Sequence, residues 1–352
     1  MFVPPPLAPT VEAALRDVAA RTPEARAAAL EVLATVETDE LRARAIEAAR
    51  TRLDDEAAVV RVAALVALGR LRDDASIDAI LAKLERDEDP VVREVALIAC
   101  AEIGGERALE AVIAALGDPR PEVRFQAVAA IAELSPERAP GHVMSRLDDD
   151  DARVRAHAAS SLALLGDRPA SRDALAARLD DPSAEVRAES ALALATLGDD
   201  RAIPTLRRLL DDPERGLAAA EALGSLSPKG AARDDLARIA RAFLKPLMLK
   251  AAASAALARA GDERGVEGLR SVLKALRADG RTYAVVAIGE QRIAALVPEI
   301  VALADRPRGA DPVAIAETLA RFATDSTEAR AALERLAARD DEAGARAREL
   351  LA

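Results

Sequence analysis

Five aspartates in this chain are each followed, six residues later, by an arginine that directly succeeds a valine. The pairs are Asp55/Arg61, Asp87/Arg93, Asp118/Arg124, Asp149/Arg155 and Asp181/Arg187. A carboxylate and a guanidinium are matched for charge-assisted, two-pronged hydrogen bonds. Catalysis would require one pair to differ from the rest, and five equal copies argue for structural pairing instead. Successive arginines stand 32, 31, 31 and 32 residues apart. A fixed period of this size is the sequence signature of a stacked-repeat architecture.

Other reactive residues are few. The two histidines, His142 and His157, have no neighbouring cysteine cluster with which to build a transition-metal site. Cys100 takes the place held by Leu68, Ile131, Leu162 and Leu194 in the other copies, which marks it as a small buried hydrophobe rather than a nucleophile. The run Asp148-Asp149-Asp150-Asp151 lacks the spaced ligands and glycine of a calcium loop, and helix capping accounts for it. There is no glycine-rich phosphate loop, Walker lysine or Gly-x-Ser-x-Gly elbow. No catalytic residue, metal or cofactor is implied.

The elements that carry the motif follow from the fifth copy. Asp180-Asp181-Pro182-Ser183 is turn and helix-start chemistry. Val186, Ser190, Ala191, Leu194 and Leu197 then recur on one face of an α-helix, which Gly198 terminates. A second helix, Ile203 to Leu210, carries Leu206, Leu209 and Leu210 before Asp211-Asp212-Pro213 restarts the cycle. Each unit is thus a helical hairpin that buries its apolar face only against neighbours. The hydrophobic fraction of 51% supplies a continuous core, much of it alanine, so stability comes from many modest contacts.

Composition narrows the function classes. The chain has 352 residues, four phenylalanines, one tyrosine and no tryptophan, which argues against base-stacking platforms and aromatic cages. A net charge of −11 disfavours extended contact with nucleic acid or anionic membrane. The single cysteine rules out a disulfide framework, and Met1-Phe2-Val3-Pro4-Pro5-Pro6 lacks the basic and apolar regions of a secretory signal. Charges interrupt every apolar stretch well before ~18 residues, so no membrane span is expected. A cytoplasmic location is the simplest expectation. Lys83, Lys229, Lys245, Lys250 and Lys274 are the only lysines among 49 basic residues, a bias that, with the abundant alanine, reads as genomic rather than functional.

The repeated segments resemble HEAT repeats, and in particular the short HEAT-like repeats of the phycobilin-lyase type. The segments that carry the likeness start at Asp54, Asp87, Asp118, Asp150 and Asp180, the first reading DDEAAVVRVAALVALGRL. The resemblance implies an all-α, right-handed α-solenoid of about eleven hairpins over residues 1–352. Degenerate or capping repeats would span 8–53, including Thr22-Pro23-Glu24-Ala25-Arg26, regular repeats 54–212, and degenerate repeats with a C-terminal cap 213–352. It also implies that the aspartates and arginines form a ladder between neighbouring repeats, fixing their register. The His-Glu metal pairs of HEAT-type deoxyhypusine hydroxylases are absent. The aromatic, basic groove of the HEAT-like alkylpurine DNA glycosylases fits this acidic, tryptophan-free chain poorly.

Two regions stand out as candidate binding surfaces. By resemblance the motif helices line the concave face. There, positions two and six residues after the motif valine include Val62, Val66, Ile98, Phe125 and Leu192, with Glu94, Ala129, Ala156, Ala188 and Ser160 among them. Such a broken apolar stripe suits an amphipathic partner helix. The second region follows the loss of the motif after Arg187, where Ala218, Lys250 and Thr282 occupy the next expected arginine positions. Residues 1–200 carry a net charge of −14 and residues 201–280 a net of +5. Helical spacing would bring Lys229 near Arg233, Arg241 near Lys245, and Arg270 near Lys274 and Arg277, with Lys250 beside them, as a patch for an acidic segment or a phosphate-bearing ligand. The expected function is a non-catalytic protein-interaction scaffold. The alternatives are a bilin lyase-like maturation factor and a nucleic-acid binder acting through 201–280.

Overall fold

A computed structural model describes residues 10–275 and 280–352; Met1–Pro6 and Arg277, read above, lie outside them. The fold is all-α, with twenty-two α-helices among the described residues. Its Cα packing divides into two compact units, residues 1–174 and 175–352.

The first unit holds five hairpins: α1 (Val11–Asp17) with α2 (Pro23–Leu33), α3 (Asp39–Arg50) with α4 (Ala58–Arg70), α5 (Ile77–Arg86) with α6 (Pro90–Ile103), α7 (Glu106–Ala115) with α8 (Pro121–Leu134), and α9 (Ala139–Ser145) with α10 (Ala152–Leu164). The division falls within α11 (Pro169–Ala177). The second unit continues with α12 (Ala184–Thr196), α13 (Ile203–Leu209) with α14 (Gly216–Ser225), α15 (Ala231–Arg241) with α16 (Leu247–Arg259), α17 (Glu263–Lys274) with α18 (Arg281–Glu290), α19 (Val297–Asp305) with α20 (Pro312–Phe322), and α21 (Thr327–Ala337) with α22 (Glu342–Leu351).

Within each unit the even-numbered helices, which carry the motif in the regular repeats, pack against one another in series: α2, α4, α6, α8 and α10 in the first, and the even-numbered helices from α12 to α22 in the second. Such a helix has neighbours on both flanks and its hairpin partner behind, so most of its circumference is buried. In α16 every residue from Ala251 to Leu257 is buried. Alanine is what lets three helices close around it, which gives the alanine content a packing cause. Odd-numbered helices face the core on one side only; α5 buries Ile77, Ile80 and Leu84, half-buries Leu81 and Lys83 and exposes the rest.

Turn chemistry sets where the motif helices begin. The motif aspartate of each turn accepts a hydrogen bond from the backbone N–H two residues on, as in Asp87 with Asp89 N at 3.1 Å and Asp181 with Ser183 N at 2.8 Å. Farther along, Asp89 and Asp151 cap α6 and α10 by accepting from Val91 N and Arg153 N, both at 2.8 Å. Gly198, just past α12, has φ +73, a left-handed conformation that terminates the helix at little cost.

Candidate functional site

The six-residue spacing has a direct geometric cause. Each motif arginine folds back over its own turn and donates Nη1 to the carbonyl oxygens six and five residues earlier. Arg61 reaches Asp55 O at 2.9 Å and Glu56 O at 3.2 Å, and Arg187 reaches Asp181 O at 2.7 Å and Pro182 O at 3.0 Å. Arg93, Arg124 and Arg155 make the same pair of bonds to residues 87/88, 118/119 and 149/150. The arginine thus grips the backbone of the aspartate six residues earlier, while that aspartate's carboxylate points to the preceding repeat.

There the remaining guanidinium N–H groups form forks. Arg61 donates Nε and Nη2 to the Asp87 carboxylate at 3.0 and 2.8 Å, and Arg124 to Asp149 at 2.7 and 2.6 Å. Arg26, in the degenerate copy, does the same to Asp55 at 2.9 and 2.7 Å. The Arg61 and Asp87 side chains are 7% and 3% exposed, so this pair is nearly out of water. Burial opposes ionisation of Asp55, Asp87 and Asp149, but the facing guanidinium and the backbone N–H outweigh it and hold each carboxyl below its usual range.

One rung departs from the expected ladder. Asp118 is taken by Arg120 in its own turn, at 2.7 and 2.6 Å, rather than by Arg93. Arg93 keeps its carbonyl bonds, but its Nε is buried without a hydrogen-bond partner. A local arginine two residues along outcompetes one from the previous repeat because it needs no inter-repeat alignment.

The motif does not vanish after Arg187 as the sequence suggested. Arg281, one residue before the expected Thr282, is buried and donates to Ala275 O six residues back, to Leu273 O at 3.1 Å, and to Arg308 O in the next repeat. The fork has become a carbonyl grip, so no Asp-x-x-x-x-Val-Arg string survives to be read. Also missed was a second series of inter-repeat pairs between odd-numbered helices. In the second unit these are Arg207–Asp235 at 2.6 Å, Asp234–Arg264 at 3.0 Å and Arg270–Glu299 at 2.7 Å; in the first, Glu106 pairs with Arg138 at 2.9 Å.

The positions of the expected apolar stripe differ in exposure. Val62, Val66 and Leu192 are half-buried, and Ile98 is 42% exposed. Phe125 is half-buried and stacked on His157 of α10, with ring centroids 4.2 Å apart, so its face is used internally. Burial lowers the His157 pKa, and its Nε2 has no hydrogen-bond partner, consistent with a neutral ring. Cys100 is buried, and burial pushes its thiol up to about 12.

Of the pairings expected for the basic patch, Arg270 and Lys274 share one helix, α17, whereas Lys229 with Arg233 and Arg241 with Lys245 do not. Lys229 precedes α15 and Lys245 follows it, so neither shares a helical face with Arg233 or Arg241. Arg233 is spent on Pro228 O and Ala260 O, at 2.7 and 2.8 Å. Lys245 binds Asp211 at 3.0 Å alongside Arg238, and the two cations pull that carboxyl down to about 2. Arg270 is paired with Glu299. Lys229 and Lys274 are exposed at opposite ends of their elements, and Lys250 is half-buried in α16. The connection from α15 to α16 instead displays Phe243 and Leu244, 94% and 91% exposed, which sequence reasoning overlooked.

Among the described residues no group of three or more His, Cys, Asp or Glu side chains is placed to hold a metal ion. None of the described helices is long and apolar enough to cross a membrane.

Comparison with known families agrees with this geometry. The family described as HEAT repeats matches residues 77–163 and 140–227, and the PBS lyase HEAT-like repeat matches residues 60–86. Residues 60–227 of the chain are HEAT repeats. Among solved structures, importin beta superposes with a TM-score of 0.62 at 13% identity, over 97% of this chain and 57% of that one. The Escherichia coli protein YibA superposes with a TM-score of 0.54 at 19% identity, over 71% of this chain and 92% of that one. At these identities the likeness concerns the HEAT-repeat fold alone. No curated protein sequence matches the chain.

Proposed function

We propose that this HEAT-repeat protein is a non-catalytic scaffold that binds another protein along its motif helices. The observation that carries the reading is Ile98, a large apolar side chain 42% exposed on α6, in a row with half-buried Val62 and Val66 on the adjoining α4. Exposed apolar groups in register on packed helices offer an amphipathic partner helix a continuous contact. The paired arginines hold those helices in register, so the row is presented as one rigid strip. The cations of 201–280 support a nucleic-acid or acidic-segment partner weakly, because Arg233, Lys245 and Arg270 are already committed.

A photo-crosslinking amino acid at Ile98 tests the proposal, with Val91, 52% exposed at the start of the same helix, as the control position. Irradiation in the native cell should give discrete adducts from position 98 and few from 91. Equal adducts from both, or none from either, would count against the motif-helix surface.

A further inference from the structure

In the second unit the even-numbered helices α14, α16 and α18 line a pocket of about 260 Å³ whose chemistry differs from the apolar strip. Its floor is made of small residues, among them Gly224, Ala252 and Ala256. Gly224 lies so close to α16 that a Cβ there would stand 3.0 Å from that of Ala256. The rim is rich in acceptors. Glu221 on α14 and Glu290 on α18 are exposed carboxylates, and Gln291 presents an Oε1 that is buried and without a hydrogen-bond partner. Half-buried Tyr283 stands between them, its pKa raised first by burial and then by the facing Glu221 carboxylate. Arg259 borders the pocket but forms no ion pair with either glutamate among the described residues, and Glu221 is shared with the facing Tyr283 hydroxyl.

Two carboxylates, an amide oxygen lacking a donor and an aromatic face outnumber the one cation at the rim, Arg259. We propose that this pocket binds an arginine side chain of the partner polypeptide. This rests on the scaffold reading and names the chemistry that one part of that surface selects. A guanidinium carries five N–H donors, enough to serve Glu221, Glu290 and Gln291 Oε1 together. Its flat face stacks on a tyrosine ring, and its methylene stem lies along the alanine floor. Lysine offers a compact charge with no fork and fits this spread of acceptors less well.

Tyr283 is the chain's single tyrosine and there is no tryptophan, so intrinsic fluorescence reports on this pocket alone. Titrating the full chain with Nα-acetyl-arginine amide should give a saturable change in Tyr283 emission, with a Kd on the order of millimolar. The lysine analogue should bind more weakly, and Nα-acetyl-glutamate amide should give no change. Glu221→Gln with Glu290→Gln, both exposed positions, should leave helicity intact and weaken arginine binding at least about tenfold, the equivalent of ~1.4 kcal/mol. No response to the arginine probe up to roughly 50 mM, or equal binding by the double variant, would overturn the assignment. Crosslinking at Ile98 is independent of this pocket. Adducts there without probe binding would remove the arginine site and leave the scaffold; probe binding without adducts would leave a cation site and remove the scaffold.

Discussion

Arg61 and Arg93 occupy the same motif position, yet only Arg61 closes a fork on the next repeat. Truncating Arg61 strands the nearly buried Asp87 carboxylate, so Arg61→Ala should cost about 3 kcal/mol. Arg93→Ala removes bonds to carbonyls that face partial solvent and should cost about 1 kcal/mol. Urea-melt midpoints of the two variants read this difference directly, and equal losses would mean that the forks add nothing beyond the carbonyl grip. Arg61→Lys should recover little, because an ammonium cannot serve the carboxylate and two carbonyls in one plane. The sequence displayed these residues plainly but not their partners. The motif valine, arginine and aspartate were legible, whereas the capture of Asp118 by Arg120 depends on a rotamer choice that no spacing encodes.

Helices in this protein obey two different packing demands. A helix wedged between two others must be narrow, and Gly224 against Ala256 is one expression of that. Gly224→Ala should therefore destabilise by about 1–3 kcal/mol, since backbone rather than a flexible side-chain end must yield. Gly141, inside α9, has nothing within 4 Å of where a Cβ would sit. Gly141→Ala should stabilise by about 0.5–1 kcal/mol. Thermal unfolding of both variants checks the contrast in sign. The hairpins themselves were legible because turn aspartates, terminal glycines and apolar periodicity are local signals. The basic patch was not, because α15 starts after Gly230 and ends at Arg241, which breaks the helical spacing assumed for Lys229 and Lys245. Arg281 escaped notice for a related reason: a backbone carbonyl took over the part of an aspartate, and carbonyls have no sequence signature.

At the scale of the whole molecule, pH should act through opposite signs at the two ends of the range. The lowered carboxyls of Asp55, Asp87 and Asp149 contribute stability that is present above the unfolded aspartate pKa of about 4. It is lost as pH falls through their lower folded values. His157, held neutral by burial, adds to acid sensitivity, since only the unfolded state takes up its proton freely below about pH 6.5. Tyr283 acts at the other extreme. Its raised pKa means the unfolded chain ionises first, so stability declines above about pH 10. Denaturation free energies across pH, compared between the native chain and His157→Phe, should show a smaller loss from pH 7 to 5 in the variant. The net charge of −11 argues against a broad polyanion surface but could not reveal that Arg233, Lys245 and Arg270 are already engaged.

The binding account stands most directly on the affinity of whichever protein crosslinks at Ile98. With that partner purified, its Kd should be measured for the native chain, for Val66→Asp with Ile98→Asp, and for Val59→Asp with Val91→Asp, the exposed helix-start positions. The account predicts at least a tenfold weakening for the first variant and an unchanged Kd for the second. Equal affinity for all three, or a loss confined to the helix-start variant, would contradict it.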